Sequence, residues 1–381
     1  MKMLTRKFLF ASTISLAMAS CTSTSDYKYK LDQDPSSDYI VSLDSIAAPD
    51  TRMIQFADSG DPRSELFTFA MLNAETQSIN IHNAKGNKVK EIILTSINPA
   101  LPTTSGFYFI DKDSLLIFSY KQDEMRLLSV ANKFKPKLIF NLDSLSSPTT
   151  STLDVDVNTN SPIIYHNGTI YLTGRAMLSN EISTPQSKRI TTAMSFNIHT
   201  GKENFYTMFP SVWGERYWHF EQYYLTHAFV PEFNSIAYSA VMKDSIVLYN
   251  FEKNSQINVP VASDKLGNEK DMVPKEIKDP RTLGSKEDLE MYLDKPHYGE
   301  IIFDKYRHVF YRFITTGSKK RTTNVIIHEV MGKKIGEVQL PSNYMSGAGS
   351  FITKQGLYLR KSNTLDENKI VFTLFKLSKH G

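Results

Sequence analysis

Three features of the 381-residue sequence predict an all-β fold. Apolar runs of strand length are broken by turn residues roughly every 5 to 10 positions. Long amphipathic helical patterns are almost absent. The chain also divides into similar units, the last short of one strand, while a spare strand stands near the N-terminus. Together these predict a β-propeller of six blades, with seven as the alternative count, closed by an N-terminal strand. Alternation or continuous apolar character is plain in Leu115-Leu116-Ile117-Phe118-Ser119-Tyr120 and in Ile246-Val247-Leu248-Tyr249. Lys85-Gly86-Asn87, Asn167-Gly168 and Thr200-Gly201 punctuate such runs.

Each unit reads as a four-stranded meander. The first is Arg52–Phe56, Leu66–Leu72, Ser78–His82 and Lys88–Leu94. The second is Phe107–Ile110, Ser114–Tyr120, Met125–Val130 and Lys137–Leu142. The third is Ile163–Tyr165, Thr169–Thr173, Thr192–Ile198 and Glu203–Met208. The fourth is Thr226–Val230, Ser235–Val241, Ser245–Asn250 and Gln256–Val259. The fifth is Glu300–Phe303, His308–Thr315, Asn324–Val330 and Lys334–Leu340. The sixth has only Gly349–Thr353, Gly356–Arg360 and Ile370–Leu377. Asp38–Leu43 is the strand left over, and adding it to the sixth unit closes a ring with no long free edge. A β-sandwich followed by a second β-domain is the competing reading. No WD, Kelch or Asp-box signature names a propeller class.

In such a meander the connections after second and after fourth strands share one rim. The long segments Asp143–Pro162, Arg175–Ile190, Phe209–Leu225, Val261–Gly299 and Thr316–Thr323 all fall there. One elaborated rim and one plain rim follow, and long loops on a rigid scaffold are where function concentrates. Within the longest segment, Lys286–Leu293 reads as a short helix with Ser285 as its N-cap.

The N-terminus is an address. Lys2, Arg6 and Lys7 precede the short apolar run Phe8–Met18, then Ala19, Ser20 and Cys21. This is the pattern of a secretory signal peptide, too short to span a membrane. Met18-Ala19-Ser20-Cys21 resembles a bacterial lipobox, with Met in place of the commoner Leu, so residues 1–20 are expected to be a lipoprotein signal and Cys21 the lipidated residue. An ordinary cleaved signal with an incidental Cys is the alternative. Residues 21–36, rich in Ser, Thr, Asp and Lys, are expected to be a flexible tether, and 37–381 a single propeller domain. Thr22 after the Cys favours the outer membrane by analogy with sorting rules, facing the periplasm or the cell surface.

Composition narrows the function classes. One Cys in the whole chain excludes a disulfide framework and a multi-Cys metal cage. The formal charge of +4 shrinks once the signal peptide is removed, which leaves 41 positive against 40 negative side chains and gives no sign of a nucleic-acid partner. The expected partners are a membrane, through the anchor, and a glycan, peptide or envelope protein.

The densest aromatic segment is Phe209–Phe220, which holds both Trp residues. Trp213, Arg216, Tyr217, Trp218 and His219, with Tyr223 just beyond, are candidate ligand contacts, since such side chains bury much area at low entropy cost. The same aromatics also suit a loop that folds on itself. Glu215, Glu290, Asp294 and Glu300 lie on the same rim, but nothing specifies the carboxylate pair that glycoside hydrolysis requires. No catalytic residue is assigned. Asp154-Val155-Asp156-Val157-Asn158 places oxygen side chains on alternate positions, as hard cations prefer, yet lacks the turning Gly and the downstream Glu of a calcium loop. An exposed strand with a polar face explains it equally well, so no metal or cofactor is assigned. Ser318-Lys319-Lys320-Arg321 reads as a solvated basic turn. Ser346-Gly347-Ala348-Gly349 lacks the Lys and helix of a phosphate loop, and no Gly-x-Ser-x-Gly elbow occurs.

The stretch Lys295–Phe313, with Tyr298-Gly299, Asp304, Arg307 and Tyr311-Arg312-Phe313, resembles a motif of a family of bacterial lipoproteins of unknown function. The resemblance implies a signal-anchored chain with a propeller-like domain and brings no activity. Read physically, Asp304–Arg307 is a turn in which Asp304 accepts backbone hydrogen bonds. Arg312, inside an apolar strand, needs a carboxylate or carbonyl partner, with Asp304 near in sequence, or else faces a ligand. His297 and Tyr298 sit on the elaborated rim as further ligand candidates. Two functions are carried forward. One is a lipid-anchored binding or scaffold protein using that rim. The other is an envelope glycan hydrolase or lyase with its site in the propeller mouth.

Overall fold

The computed structural model describes residues 27–43, 53–58, 61, 63–97, 101, 103–142, 152–177, 192–206, 224–266, 285–286, 290, 294–316, 322–344, 349–362 and 368–379. Their strands form six small antiparallel sheets, and the protein is a six-bladed β-propeller. Strand β1 (Tyr29–Ser42) opens the described chain. Blade 1 holds β2 (Ile54–Phe56), β3 (Phe69–Asn73), β4 (Ser78–His82) and β5 (Lys88–Ile93), with a four-residue helix at Leu94–Ile97. Blade 2 holds β6 (Gly106–Phe109), β7 (Ser114–Ser119), β8 (Glu124–Ser129) and β9 (Lys135–Asn141). Blade 3 holds β10 (Thr152–Val155), β11 (Ile164–His166), β12 (Thr169–Met177), β13 (Ala193–Asn197) and β14 (Glu203–Tyr206). Blade 4 holds β15 (Leu225–Val230), β16 (Ser235–Ala240), β17 (Ser245–Asn250) and β18 (Ser255–Pro260). Blade 5 holds β19 (His297–Asp304), β20 (Val309–Thr316), β21 (Thr322–Glu329) and β22 (Lys334–Gln339). Blade 6 holds β23 (Phe351–Ile352), β24 (Leu357–Arg360) and β25 (Lys369–Lys379), with β1 as its fourth strand.

Burial explains why the units were readable. A second strand is packed between the neighbouring blades on both faces, so it is mostly apolar: β3 and β16 are buried at every position, and so is most of β20. A fourth strand is an outer edge and needs little apolar surface. In β18 every residue but Val259 is exposed.

That same logic corrects the expected tether. Residues 29–36 are not a linker but the first half of β1, which pairs antiparallel with β25 from Tyr29↔Lys379 to Ser42↔Lys369. Only Leu31 and Val41 of β1 are buried, so an outer strand here carries a linker's composition. A register shift between Asp34 and Tyr39 absorbs Pro35, and the Asp34 carboxylate accepts from the Ser36 and Ser37 hydroxyls there. Closure is sealed by aromatics from blades 6 and 1. Phe351 stacks on Tyr358 at 5.0 Å and on Phe56 at 4.5 Å between ring centroids. Gly86 lies directly under β1. Its φ is +77°, and a Cβ there would sit 1.7 Å from the Ile40 carbonyl oxygen.

Two further departures matter for function. The innermost strand of blade 3 is split: β10 pairs with the far half of β12 and β11 with its near half, so the chain leaves the sheet between Asp156 and Ile163 and returns. The connection Ala57–Thr68 in blade 1 is a long one on the otherwise plain rim. Of the expected helix at 286–293, Lys286 and Glu290 are helical and form an ion pair at 3.8 Å; the other positions lie outside the described residues, as do 318–321 and 346–348.

Candidate functional site

The excursion in blade 3 plugs the centre of the ring. Asn158 and Ser161 close it as a bridge, and the Asn158 side-chain oxygen accepts from the backbone N–H groups of Asn160 and Ser161 at 2.8 and 3.0 Å. This Asx turn then touches three other blades. The Thr159 hydroxyl accepts from Ile54 N–H at 3.1 Å in blade 1. The Asn160 carbonyl accepts from His227 N–H at 3.1 Å in blade 4. The Asn160 amide donates to Glu300 at 3.1 Å in blade 5. Only an element on the propeller axis can reach the inner strands of all three. Ile54 and His227 stand where those strands leave the elaborated rim, so the plug occupies that mouth.

Two titratable groups beneath it are shifted by burial. The Glu300 carboxyl is pushed up from its ordinary range by loss of water, with no charged neighbour behind the shift. His227 is pushed down to about 4 by burial. Its Nε2–H donates to the Pro162 carbonyl at 2.8 Å, so Nδ1 accepts from the Thr173 hydroxyl at 2.7 Å. It is a neutral tie between blades 3 and 4. Tyr224 is likewise pushed up by burial, and it accepts a hydrogen bond from the Asn158 amide.

Beside the plug, blades 1 and 2 leave a cleft of about 460 Å³ on the elaborated rim. Asp156, Val157 and Asn158 form one wall; Met53, Gln77 and Thr104 face it, with Tyr120 at the lip. Gln77 is locked there. Its backbone is left-handed, at φ +52°. Its amide donates to Ala74 O at 2.6 Å and accepts from Thr104 N–H at 2.5 Å. Tyr120 is 52% exposed, and its backbone N–H donates to Ser105 Oγ at 3.1 Å. The lining therefore mixes amide, hydroxyl and aromatic groups with the apolar Met53, Ala74 and Val157, and Asp156 is its one acid among the described residues.

The residues singled out from sequence divide sharply. Trp213, Arg216, Tyr217, Trp218, His219 and Tyr223 lie outside the described residues, as does Cys21. Arg312 is described and does not face a ligand. It is the largest fully buried side chain among the described residues, and its guanidinium stacks 3.8 Å from the Tyr298 ring centroid. It donates to Ser239 Oγ at 3.0 Å, to Lys243 O at 2.6 Å, to Ala240 O at 3.2 Å and to Val261 O at 3.4 Å. Carbonyls of blade 4, not Asp304, are its partners, and burial lowers its pKa to about 10. Tyr298 is buried beneath it, its hydroxyl accepting from Ser263 N–H at 3.1 Å, and His297 is buried against Lys295 O at 2.9 Å. Arg312 and Tyr298 are packing residues of the blade 4–blade 5 seam.

Asp304 does make the turn expected of it, accepting from Tyr306 and Arg307 N–H at 2.9 and 3.1 Å. Arg307 continues to Lys354 O in blade 6 at 2.7 Å, and the Tyr306 hydroxyl reaches Asp58 of blade 1 at 2.6 Å. The motif of the resemblance is thus a staple across three blades at the plain rim. Asp156 and Asn158 are brought to the cleft, while Asp154 stays in β10; no group of three His, Cys, Asp or Glu converges among the described residues. Gln77, Thr104 and Tyr120 were missed in the sequence, where they look like ordinary turn residues.

This geometry defines a six-bladed propeller with a plugged axis and an off-axis rim cleft. Among solved structures it is similar to a member of the DUF4221 family from Bacteroides vulgatus, at 19% identity and TM-score 0.74, covering 93% of this chain and 99% of that one. It is also similar to a protein from Bacteroides fragilis described as exported, at 9% identity and TM-score 0.52, covering 93% and 96%. These likenesses show the fold. A gluconolactonase from Xanthomonas campestris matches at TM-score 0.43 and 10% identity over 90% of this chain and 98% of its own. No family model and no curated protein matches the sequence.

Proposed function

We propose that this protein is a lipid-anchored binding protein of the cell envelope that holds a neutral polar ligand, a glycan, in the rim cleft between blades 1, 2 and 3. The lipobox at Cys21 and the signal segment before it supply the anchor, with the outer membrane as its site. The cleft itself carries the reading. Its hydrogen-bonding groups are held in place by their own contacts, as the Gln77 amide is, so binding costs little side-chain entropy. Tyr120, half-exposed at the lip, supplies an aromatic ring of the kind on which sugars stack. Glycan-array screening of the full-length protein, followed by calorimetry on the hits, tests this. Tyr120→Ala is expected to weaken binding at least about tenfold, a stacking contact of about 1.4 kcal/mol, with the melting temperature unchanged. Unaltered affinity in that variant removes the cleft as the site.

One observation favours the enzymatic reading: the Glu300 carboxyl, pushed toward its acid form under the plug, is the kind of group used as a general acid. Glycoside hydrolysis needs a second carboxylate about 5–9.5 Å away. Glycan turnover abolished by Glu300→Gln is the result that would shift the assignment to an enzyme.

A further inference from the structure

The plain rim has features the rim cleft does not use. Phe233 and Met331 are 46% and 65% exposed and border one groove of about 840 Å³, with Tyr29, Val309 and Leu377 along it. Apart from Tyr120 at the rim cleft, the other exposed large apolar side chains among the described residues, such as Val89 and Ile139, lie on outer strands. The third-to-fourth turns of blades 1 to 5 each present one exposed lysine: Lys85, Lys133, Lys202, Lys253 and Lys333. Exposed acids on plain-rim connections are Glu65, Asp113, Glu232 and Glu252, and Lys333 also pairs with Glu329 at 3.9 Å. Glu232 in turn pairs with His308 at 3.1 Å at the groove.

The place where the chain arrives picks the occupant. β1 begins at the plain-rim end of blade 6, and Tyr29 lines the groove itself. Tyr27 lies over Lys334, the residue that opens β22 at its plain-rim end, with the ammonium 4.9 Å from its ring, and its hydroxyl also bonds to Asp264 in the segment after β18. Between Cys21 and Tyr27 the chain reaches at most about 20 Å. A lipid on Cys21 therefore holds the bilayer within about 20 Å of this edge.

We infer that the plain rim is the membrane-facing side, seated on anionic lipid headgroups through its ring of lysines with Phe233 and Met331 at the interface, and that the rim cleft faces away. The inference rests on the lipid-anchor reading. Short tethering makes the contact effectively intramolecular, so weak headgroup and apolar contacts suffice to orient the domain.

The test uses the full chain, lipidated and reconstituted into vesicles of phosphatidylethanolamine with one quarter phosphatidylglycerol. Because Cys21 carries lipid, a polarity-sensitive fluorophore goes selectively onto Met331→Cys or, at the opposite rim, Lys121→Cys. The label at 331 is expected to shift to the blue and to be quenched by nitroxide lipids; the label at 121 is expected to do neither. An unquenched 331 label, or a quenched 121 label, overturns the orientation while leaving the anchor intact. Mass spectrometry of the mature N-terminus separates the other failure: Cys21 without acyl chains removes the anchor and the orientation with it. Lys253→Glu with Lys333→Glu is expected to reduce quenching at 331, and quenching that survives in full refutes the lysine ring as the contact.

Discussion

Two buried histidines should make the fold acid-sensitive well above the range of carboxylate titration. His227 ties blades 3 and 4 as a neutral ring, and His328 stacks on Phe310 at 5.1 Å with its Nδ1 on the Glu329 carbonyl. Burial holds both near a pKa of about 4, against an ordinary 6.5. Between those values the unfolded chain is protonated and the folded one is not. Stability from this source is therefore complete above 6.5 and is lost as pH falls toward 4. Integrating the linkage for both residues gives a loss of about 4 kcal/mol between pH 7 and pH 5. Urea unfolding at pH 7, 6 and 5, with His227→Gln and His328→Gln beside the parent, measures it. Each variant should lose about half of the pH slope. A parent whose unfolding free energy changes by less than about 1 kcal/mol over that span refutes the reasoning, as does an imidazole that titrates near 6.5 by NMR.

Two other perturbations test the ring. Gly86→Ala forces a Cβ into the Ile40 carbonyl at a left-handed position, so it should cost about 3 kcal/mol or more, seen as a lowered urea midpoint. Arg312→Met removes the guanidinium from the Lys243, Ala240 and Val261 carbonyls and the cation from Tyr298, an expected loss of about 3 kcal/mol; Arg312→Lys should recover only part of it, since an ammonium cannot fork to the same acceptors.

The architecture was legible because each blade position has its own burial regime, and burial writes the pattern. Second strands such as Ser235–Ala240, enclosed on both faces, read as apolar runs, and turns such as Lys85-Gly86-Asn87 mark the hairpins between them. The same rule hid the start of β1, because an outer strand with two buried residues has a linker's composition. The site was less legible. A rim cleft is assembled from turns far apart in sequence, so Gln77 and Tyr120 carry no local signature. Arg312 drew attention as a charge in an apolar strand, and the chemistry behind that was sound. Its partner was not the nearby Asp304 but backbone carbonyls of the neighbouring blade, which no side-chain pattern records.

Glu300 offers the sharpest test of what the centre of the ring is for. Its half-buried side chain accepts from the Asn160 amide, and loss of water raises its pKa above the ordinary 4.5. The folded state thus holds the proton more tightly than the unfolded state. Its contribution to stability is fully present below pH 4.5 and is lost as pH rises through the folded value. At neutral pH the carboxyl is a net cost relative to the unfolded chain, because its desolvation is not offset by a cation. Gln at this position keeps an oxygen for Asn160 and removes the charge. Glu300→Gln should therefore be more stable than the parent at pH 7 and no more stable at pH 4, by calorimetry at both. If the variant is instead less stable at pH 7, the carboxylate is a stabilising anchor for the plug and the acid reading of Glu300 falls with it. If the gain appears, the protein carries an acid that its fold alone would be better without. Such a residue at the foot of the plug is then the place to look for chemistry.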